Sequence, residues 1–169
     1  FAAHFGRDIM EGYGLSEASP VVTLNPPGKE KIGSIGLPLQ GIKARIIDTE
    51  GHEVPTGEAG ELIIQADTVM QGYWHLPEAT AEALQDGWLH TSDVARQDED
   101  GYIYIVDRLK DMIVSGGENV YSAEVENAVR SHGDVADCAV IGVPDARLGE
   151  RVHVAVVLKD PRGELPLDA

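Results

Sequence analysis

"DRLKDMIVSGGENVYSAEVE", residues 107–126, is where the chain changes pattern. Before it lie short β-branched runs punctuated by Gly and Pro. After residue 121, Val125, Ala128, Val129 and His132 fall at i, i+3, i+4 and i+7, one face of a helix. Ser122 is placed to cap that helix and Gly133 to end it. Within the stretch, Arg108 offers a fixed-charge fork for ribose oxygens or phosphate. Gly116 and Gly117 permit a tight loop ahead of the helix. Equally, the same residues can be a surface salt-bridge cluster and a hairpin turn. A boundary near residues 107–111 follows from the change of period.

Upstream, "KARIIDTEGHEVPTGEAGELIIQ" (43–65) reads as strand, turn, strand, and "YIYIV" (102–106) as a further strand after the "DEDG" turn. "PEATAEAL" (77–84) reads as a short helix with Pro77 in its first turn and Gly87 at its exit. Residues 20–41 are rich in Pro and Gly and read as loop. Downstream, "CAVIGV" and "VHVAVVL" are apolar, β-branched runs that read as buried strands. The order is strands with few helices to about residue 107, then mixed helix and strand.

The 169 residues allow one domain or two small ones. A hydrophobic content of 43% suffices for a core, and the net charge of -16 comes with no basic cluster, which argues against a nucleic-acid surface. A single cysteine rules out an internal disulfide and a cysteine-rich zinc site, and fits a cytoplasmic location. No apolar run is long enough for a transmembrane segment.

Two further stretches carry chemistry. In "EGYGLSEASP" (11–20), Tyr13 offers an aromatic face for a base, Ser16 a hydroxyl for phosphate, and Glu17 a hard oxygen ligand for magnesium. Gly12 and Gly14 allow close backbone approach. Alone, this is as readily a Gly-rich turn with a solvated carboxylate. In "GWLHTSDVA" (87–95), Asp93 can accept both hydroxyls of a ribose, or be an aspartate in a turn. His4, His90 and His132 show no metal spacing. Cys138 reads as a packed thiol, and Trp74 and Trp88 as core. Glu58, Glu61 and the "DED" run read as turn chemistry and solvated charge.

Taken in order, "GYGLSE", "GELIIQADTVMQGYW", "GWLHTSDVA" and "DRLKDMIVSGGENV" resemble the motifs of the adenylate-forming (AMP-binding) enzymes, in particular the acyl-CoA synthetase and fatty-acid–CoA ligase branch. The resemblance covers residues 11 to about 160. It implies an α/β (α+β) fold, with a β-barrel-like subdomain followed by a small α+β C-terminal domain. Residues 1–107 would end the large N-terminal domain, 108–111 would be a hinge, and 112–169 an incomplete mobile C-terminal domain. The implied parent is an ATP-dependent acid–thiol ligase that uses ATP, Mg and coenzyme A on a small-molecule carboxylic acid. An adenylation domain loading a carrier protein and a non-catalytic folded domain are the alternatives.

The resemblance also implies roles. Tyr13 would stack on adenine beside Gly14, Ser16 would touch the α-phosphate, and Glu17 would hold magnesium, the pair serving catalysis. Asp93 and Arg108 would bind the ribose, Lys110 would be the hinge residue, and Gly116 and Gly117 would line the pantetheine tunnel. Ser16 stands where the family has threonine, Ser92 where it has glycine, and Ser122 where it has proline. The phosphate loop and a downstream lysine are expected outside residues 1–169. The chain is therefore expected to be an inactive fragment, able to self-associate as a homo-oligomer.

Overall fold

A computed structural model describes residues 2–6 and 9–160. The "GELPLDA" ending (163–169) lies outside the described residues. The chain divides into two compact units between Ile105 and Val106.

In the first unit, helix α1 (Ala2–Phe5) precedes strands β1 (Gly12–Gly14), β2 (Val21–Leu24) and β3 (Leu37–Pro38), which form a three-stranded antiparallel sheet. A second sheet takes β4 (Lys43–Ile47), β5 (Ala59–Gln65), β6 (Leu84–Gln85) and β7 (Trp88–Gln97) in the order β4-β5-β7-β6. Its fifth strand, β8 (Ile103–Arg108), pairs with β7 and carries the chain onward. Helix α2 (Pro77–Ala83) starts at Pro77, whose missing N–H costs nothing in a first turn. One core lies between the sheets: Ala18, Val22, Ile46, Leu62, Ile64, Leu89, Ala95 and Ile103 are all buried.

The barrel-like subdomain takes the form of open sheets, because β4 has β5 as its one strand neighbour and closure would need a second. The loop-rich stretch 20–41 holds β2 and a buried anchor. The Asn25 amide donates to the Glu11 and Ser34 carbonyls, and its oxygen accepts from Lys31 N–H and Ser34 O–H. Those bonds replace the ladder the segment lacks.

Gly87 is not a helix exit. Asp86 (φ 49°) and Gly87 (φ 81°) are the two turn residues of the β6–β7 hairpin, with Gln85 paired to Trp88. Asp-Gly suits that turn because both positions need positive φ. Trp74 is 86% exposed rather than core, since it lies in a connection outside both sheets and stacks edge-on with His75. Trp88 is half-buried under the Arg45 guanidinium, 4.7 Å from the ring centre. The "DED" run is turn chemistry: Asp98 accepts from Asp100 and Tyr102 N–H, and Lys31 bridges Asp98 and Asp100. Those two carboxylates raise the Lys31 ammonium pKa above its ordinary value.

The second unit holds β9 (Ile113–Ser115), β10 (Glu118–Val120), helix α3 (Ser122–Arg130), β11 (Val135–Asp145) and β12 (Gly149–Leu158), with sheet order β10-β9-β12-β11. Strands β11 and β12 form a long antiparallel hairpin. They are not buried on both faces as their composition suggests. Val135, Cys138 and Val140 are buried, while Ile141 is 55% and Val157 59% exposed. Helix α3 packs against β11, and among the described residues of the unit no helix packs on the other face of the hairpin, where Ile141 and Val157 are exposed. Cys138 is a buried thiol that donates to the Glu126 carbonyl.

The cap on α3 is also not the expected one. Ser122 is the first helical residue, and its hydroxyl donates to Asp107 Oδ2 at 2.9 Å. The same oxygen accepts the Ala123 N–H at 3.2 Å, so Asp107, fifteen residues away in β8, caps the helix. Gly133 does not end it by a left-handed turn; Ser131, in helical conformation, is the C-terminal cap.

Candidate nucleotide site

Tyr13, Ser16 and Glu17 are set out by strand β1 and the 3-10 turn Ser16–Ala18 that follows it. Ala18 is buried and anchors the turn, leaving Ser16 exposed and Glu17 half-buried. Gly14 has an internal reason to be glycine: a Cβ there would stand 1.9 Å from the Pro20 carbonyl oxygen. That carbonyl accepts the Leu15 N–H at 2.8 Å and closes the turn.

The fold brings the first two motifs together. Across 80 positions of sequence, the Tyr13 hydroxyl donates to Asp93 Oδ2 at 2.5 Å. Asp93 is 6% exposed. It lies in a bulge: Glu61 pairs with Val94 and Ile63 with His90, so residues 91–93 of β7 stand where β5 supplies Leu62 alone. Bulges re-aim side chains out of the regular pleat. Thr91 donates to the Leu62 carbonyl at 2.7 Å and accepts the Asp93 N–H at 3.1 Å.

Ser92, where the family pattern has glycine, takes φ 58°. This left-handed backbone strains any residue with a Cβ by about 1–2 kcal/mol. Ser92→Gly is expected to stabilise the chain by about 0.5–1 kcal/mol, the relief being partly offset by glycine's greater unfolded entropy. Denaturant unfolding checks this, and a loss of stability would show that the serine side chain contributes more than its backbone costs.

Sequence reading passed over Glu61 as solvated charge. Its carboxylate is 15% exposed and accepts from Ser92 N–H at 3.0 Å and from His90 Nδ1 at 2.8 Å. Facing an acceptor, Nδ1 is the ring nitrogen that carries the proton. No local signal marks Glu61, because its partners are chosen by strand register 29 to 31 residues away.

Sequence reading likewise gave Tyr73 no part in the site. Its hydroxyl donates to Glu17 Oε1 at 2.8 Å, and Met70 N–H donates to the Glu17 carbonyl at 2.7 Å. The hydrogen bond to Glu17, then burial, pushes the Tyr73 phenol pKa up. Glu17 and Tyr73 line a cleft of about 400 Å³ with Leu15, Leu76, His90 and Ser92. Among the described residues no group of three acidic, His or Cys side chains could cage a metal. Glu17, with Glu82 on the same open cleft, fits magnesium, which is commonly held by one or two carboxylates together with substrate phosphates.

The second unit carries the other predicted residues. Arg108 is exposed, with its N–H donated to Asp107 Oδ1 at 2.8 Å. Lys110 is exposed in the 3-10 turn Leu109–Asp111. Gly116 (φ 64°) and Gly117 (φ 89°) form the two-residue turn of the β9–β10 hairpin, and Gly116 N–H donates to the Leu148 carbonyl. Both turn positions require positive φ, which only glycine takes without strain.

The profile described as AMP-binding enzyme matches residues 1–74, and that of the AMP-binding enzyme C-terminal domain matches residues 124–168. A long-chain-fatty-acid–CoA ligase of Salmonella typhimurium is 49% identical over 157 residues, covering 92% of this chain and 28% of that protein. A feruloyl-CoA synthase of Amycolatopsis is 51% identical over 157 residues, covering 92% of this chain and 32% of that protein. The crystal structure of ATP-bound MatB from Rhodopseudomonas palustris superposes with a TM-score of 0.87 at 36% identity, over 98% of this chain and 33% of that one. The chain thus spans about a third or less of the length of each. No helix among the described residues is long and apolar enough to cross a membrane.

Proposed function

Because the chain belongs to the AMP-binding enzymes, we propose that it forms part of an acyl-CoA synthetase, which activates a carboxylic acid with ATP and passes the acyl group to coenzyme A. The Tyr13–Asp93 hydrogen bond carries this reading, because it joins the two motifs assigned to adenine and ribose. In the first step a carboxylate oxygen bonds to the α-phosphorus of ATP and the bond to pyrophosphate breaks. In the second, the thiol sulfur attacks the acyl carbon, AMP departs and the thiol proton is released.

Tyr13 contributes its ring face to adenine, and Asp93 accepts from the ribose hydroxyls with Arg108 as a second contact. The Ser16 hydroxyl donates to an α-phosphate oxygen as charge builds there. Gly14, Gly116 and Gly117 keep backbone open to nucleotide and pantetheine. Magnesium, held by Glu17 and the phosphates, would neutralise phosphoryl charge. Tyr73 keeps that carboxylate oriented. The long-chain and feruloyl relatives favour fatty or aromatic acids as the substrate class.

The test is acid-dependent exchange of pyrophosphate into ATP by the full-length protein, followed by coenzyme A-dependent release of AMP, over a panel of fatty and aromatic acids. No exchange with any acid would overturn the reading. Lys110→Pro separates the half-reactions: a hinge must change φ, and proline holds φ near about -65°. Thioester formation is expected to fall about tenfold or more below adenylation, since a domain rotation gates the second step alone. An equal fall in both would make Lys110 a structural residue.

A further inference from the structure

Two side chains tie down the bulge that presents Asp93: Thr91 from within it, and Glu61 from the facing strand. Glu61 sends one carboxylate oxygen to the Ser92 N–H and the other to His90 Nδ1. Those contacts lie one and three residues before Asp93 and reach across the bulge from Glu61, the residue paired with Val94 at its far end. Ser92 needs such a clamp, because its φ of 58° is a backbone state that a serine leaves readily. Without an acceptor for its N–H, Ser92 relaxes toward extended backbone. The peptide that follows then turns, and with it the direction of the Asp93 side chain. Tyr13 and Glu17 lie on β1 and the turn after it, so this peptide sets neither backbone; its one link to them is the Tyr13 hydroxyl on Asp93, and the tyrosine ring stays placed by its own strand.

We propose that Glu61 is a positioning residue for ribose recognition, fixing the 91–93 bulge so that Asp93 meets the ribose hydroxyls. The inference rests on the reading of Asp93 as the ribose group. It assigns to Glu61 the preference for ribose over deoxyribose, not nucleotide binding as a whole. A charge-assisted hydrogen bond to a hydroxyl depends on direction as well as distance, so a small rotation removes the preference before it removes affinity.

Calorimetric binding of AMP and 2′-deoxy-AMP to the full-length protein tests this without requiring turnover. The unaltered protein is expected to prefer AMP by about tenfold or more, the worth of one hydrogen bond to a charged group. Glu61→Ala is expected to bring that ratio close to one, mainly by weakening AMP. Glu61→Gln keeps a weaker acceptor for Ser92 and is expected to narrow the ratio about threefold. An unchanged ratio in Glu61→Ala, or equal weakening of both nucleotides, overturns the inference and leaves Glu61 structural. If Glu61→Ala does not fold, an unchanged ratio in Glu61→Gln overturns it as well. Asp93→Asn distinguishes the two levels. If it keeps the AMP preference, the ribose reading of Asp93 has failed. If it abolishes the preference while the Glu61 variants keep it, only the role of Glu61 has failed.

Discussion

Glu17→Gln in the full-length protein is expected to lower acid-dependent ATP–pyrophosphate exchange by about a hundredfold or more, the scale on which groups stabilising transition-state charge act. The substitution removes one charge and little else. Glu17 is half-buried on the rim of a cleft, and its turn is anchored by buried Ala18. The bond from Met70 N–H goes to the Glu17 backbone carbonyl and survives. Glutamine also keeps an oxygen able to accept from the Tyr73 hydroxyl, which now reaches Oε1 at 2.8 Å. Thermal melting should therefore stay within error of the unaltered protein. A neutral amide oxygen is a poorer ligand for a hard divalent cation than a carboxylate, so the loss should be partly recovered at raised magnesium. Exchange within about threefold of the unaltered rate, in a folded variant, would remove Glu17 from the phosphate and magnesium chemistry.

Asp107→Ala should produce the largest loss of stability, confined to the second unit. Asp107 is buried and accepts from Arg108 N–H, Ser122 O–H and Ala123 N–H. Losing a carboxylate cap costs about 1–2 kcal/mol. Leaving the buried Ser122 hydroxyl without its acceptor adds about 1–3 kcal/mol. Together, ~2–5 kcal/mol is expected by denaturant unfolding, with loss of hydrogen-exchange protection at the Ala123 amide. The first unit should melt as before, because the known partners of Asp107 all lie beyond Val106. A change below about 0.5 kcal/mol would leave α3 capped by another group. The double substitution with Ser122→Ala should recover part of the loss, since no hydroxyl is then stranded.

Much of the fold was legible in residue order. Alternating β-branched runs bounded by Gly and Pro mark β4, β5 and β8, and Pro77 marks the start of α2. These are local preferences, set by backbone sterics and by the side chains within a few positions. The four ordered motifs similarly mark the family, because each is a contiguous string whose residue types and spacing are read directly from the chain. Tyr13, Glu17 and Asp93 could be singled out for the same reason.

Tertiary structure decided what those residues touch. Periodicity reports which residues share a face, not what covers it, so β11 and β12 read as buried although Ile141 and Val157 face outward. Trp74 read as core from its size alone, yet its place in a surface connection leaves it exposed. Gly87 looked like a helix exit until the pairing of Gln85 with Trp88 made it a hairpin turn. Asp107 replaced Ser122 as the helix cap because a strand end fifteen residues earlier passes the helix N-terminus. Glu61 and Tyr73 were invisible to sequence reading for one physical reason. A carboxylate or phenol is specified as a site residue only by a hydrogen-bond partner at about 3 Å. Here those partners are 31 and 56 positions away, brought within reach by strand register, a bulge and the packing of a loop.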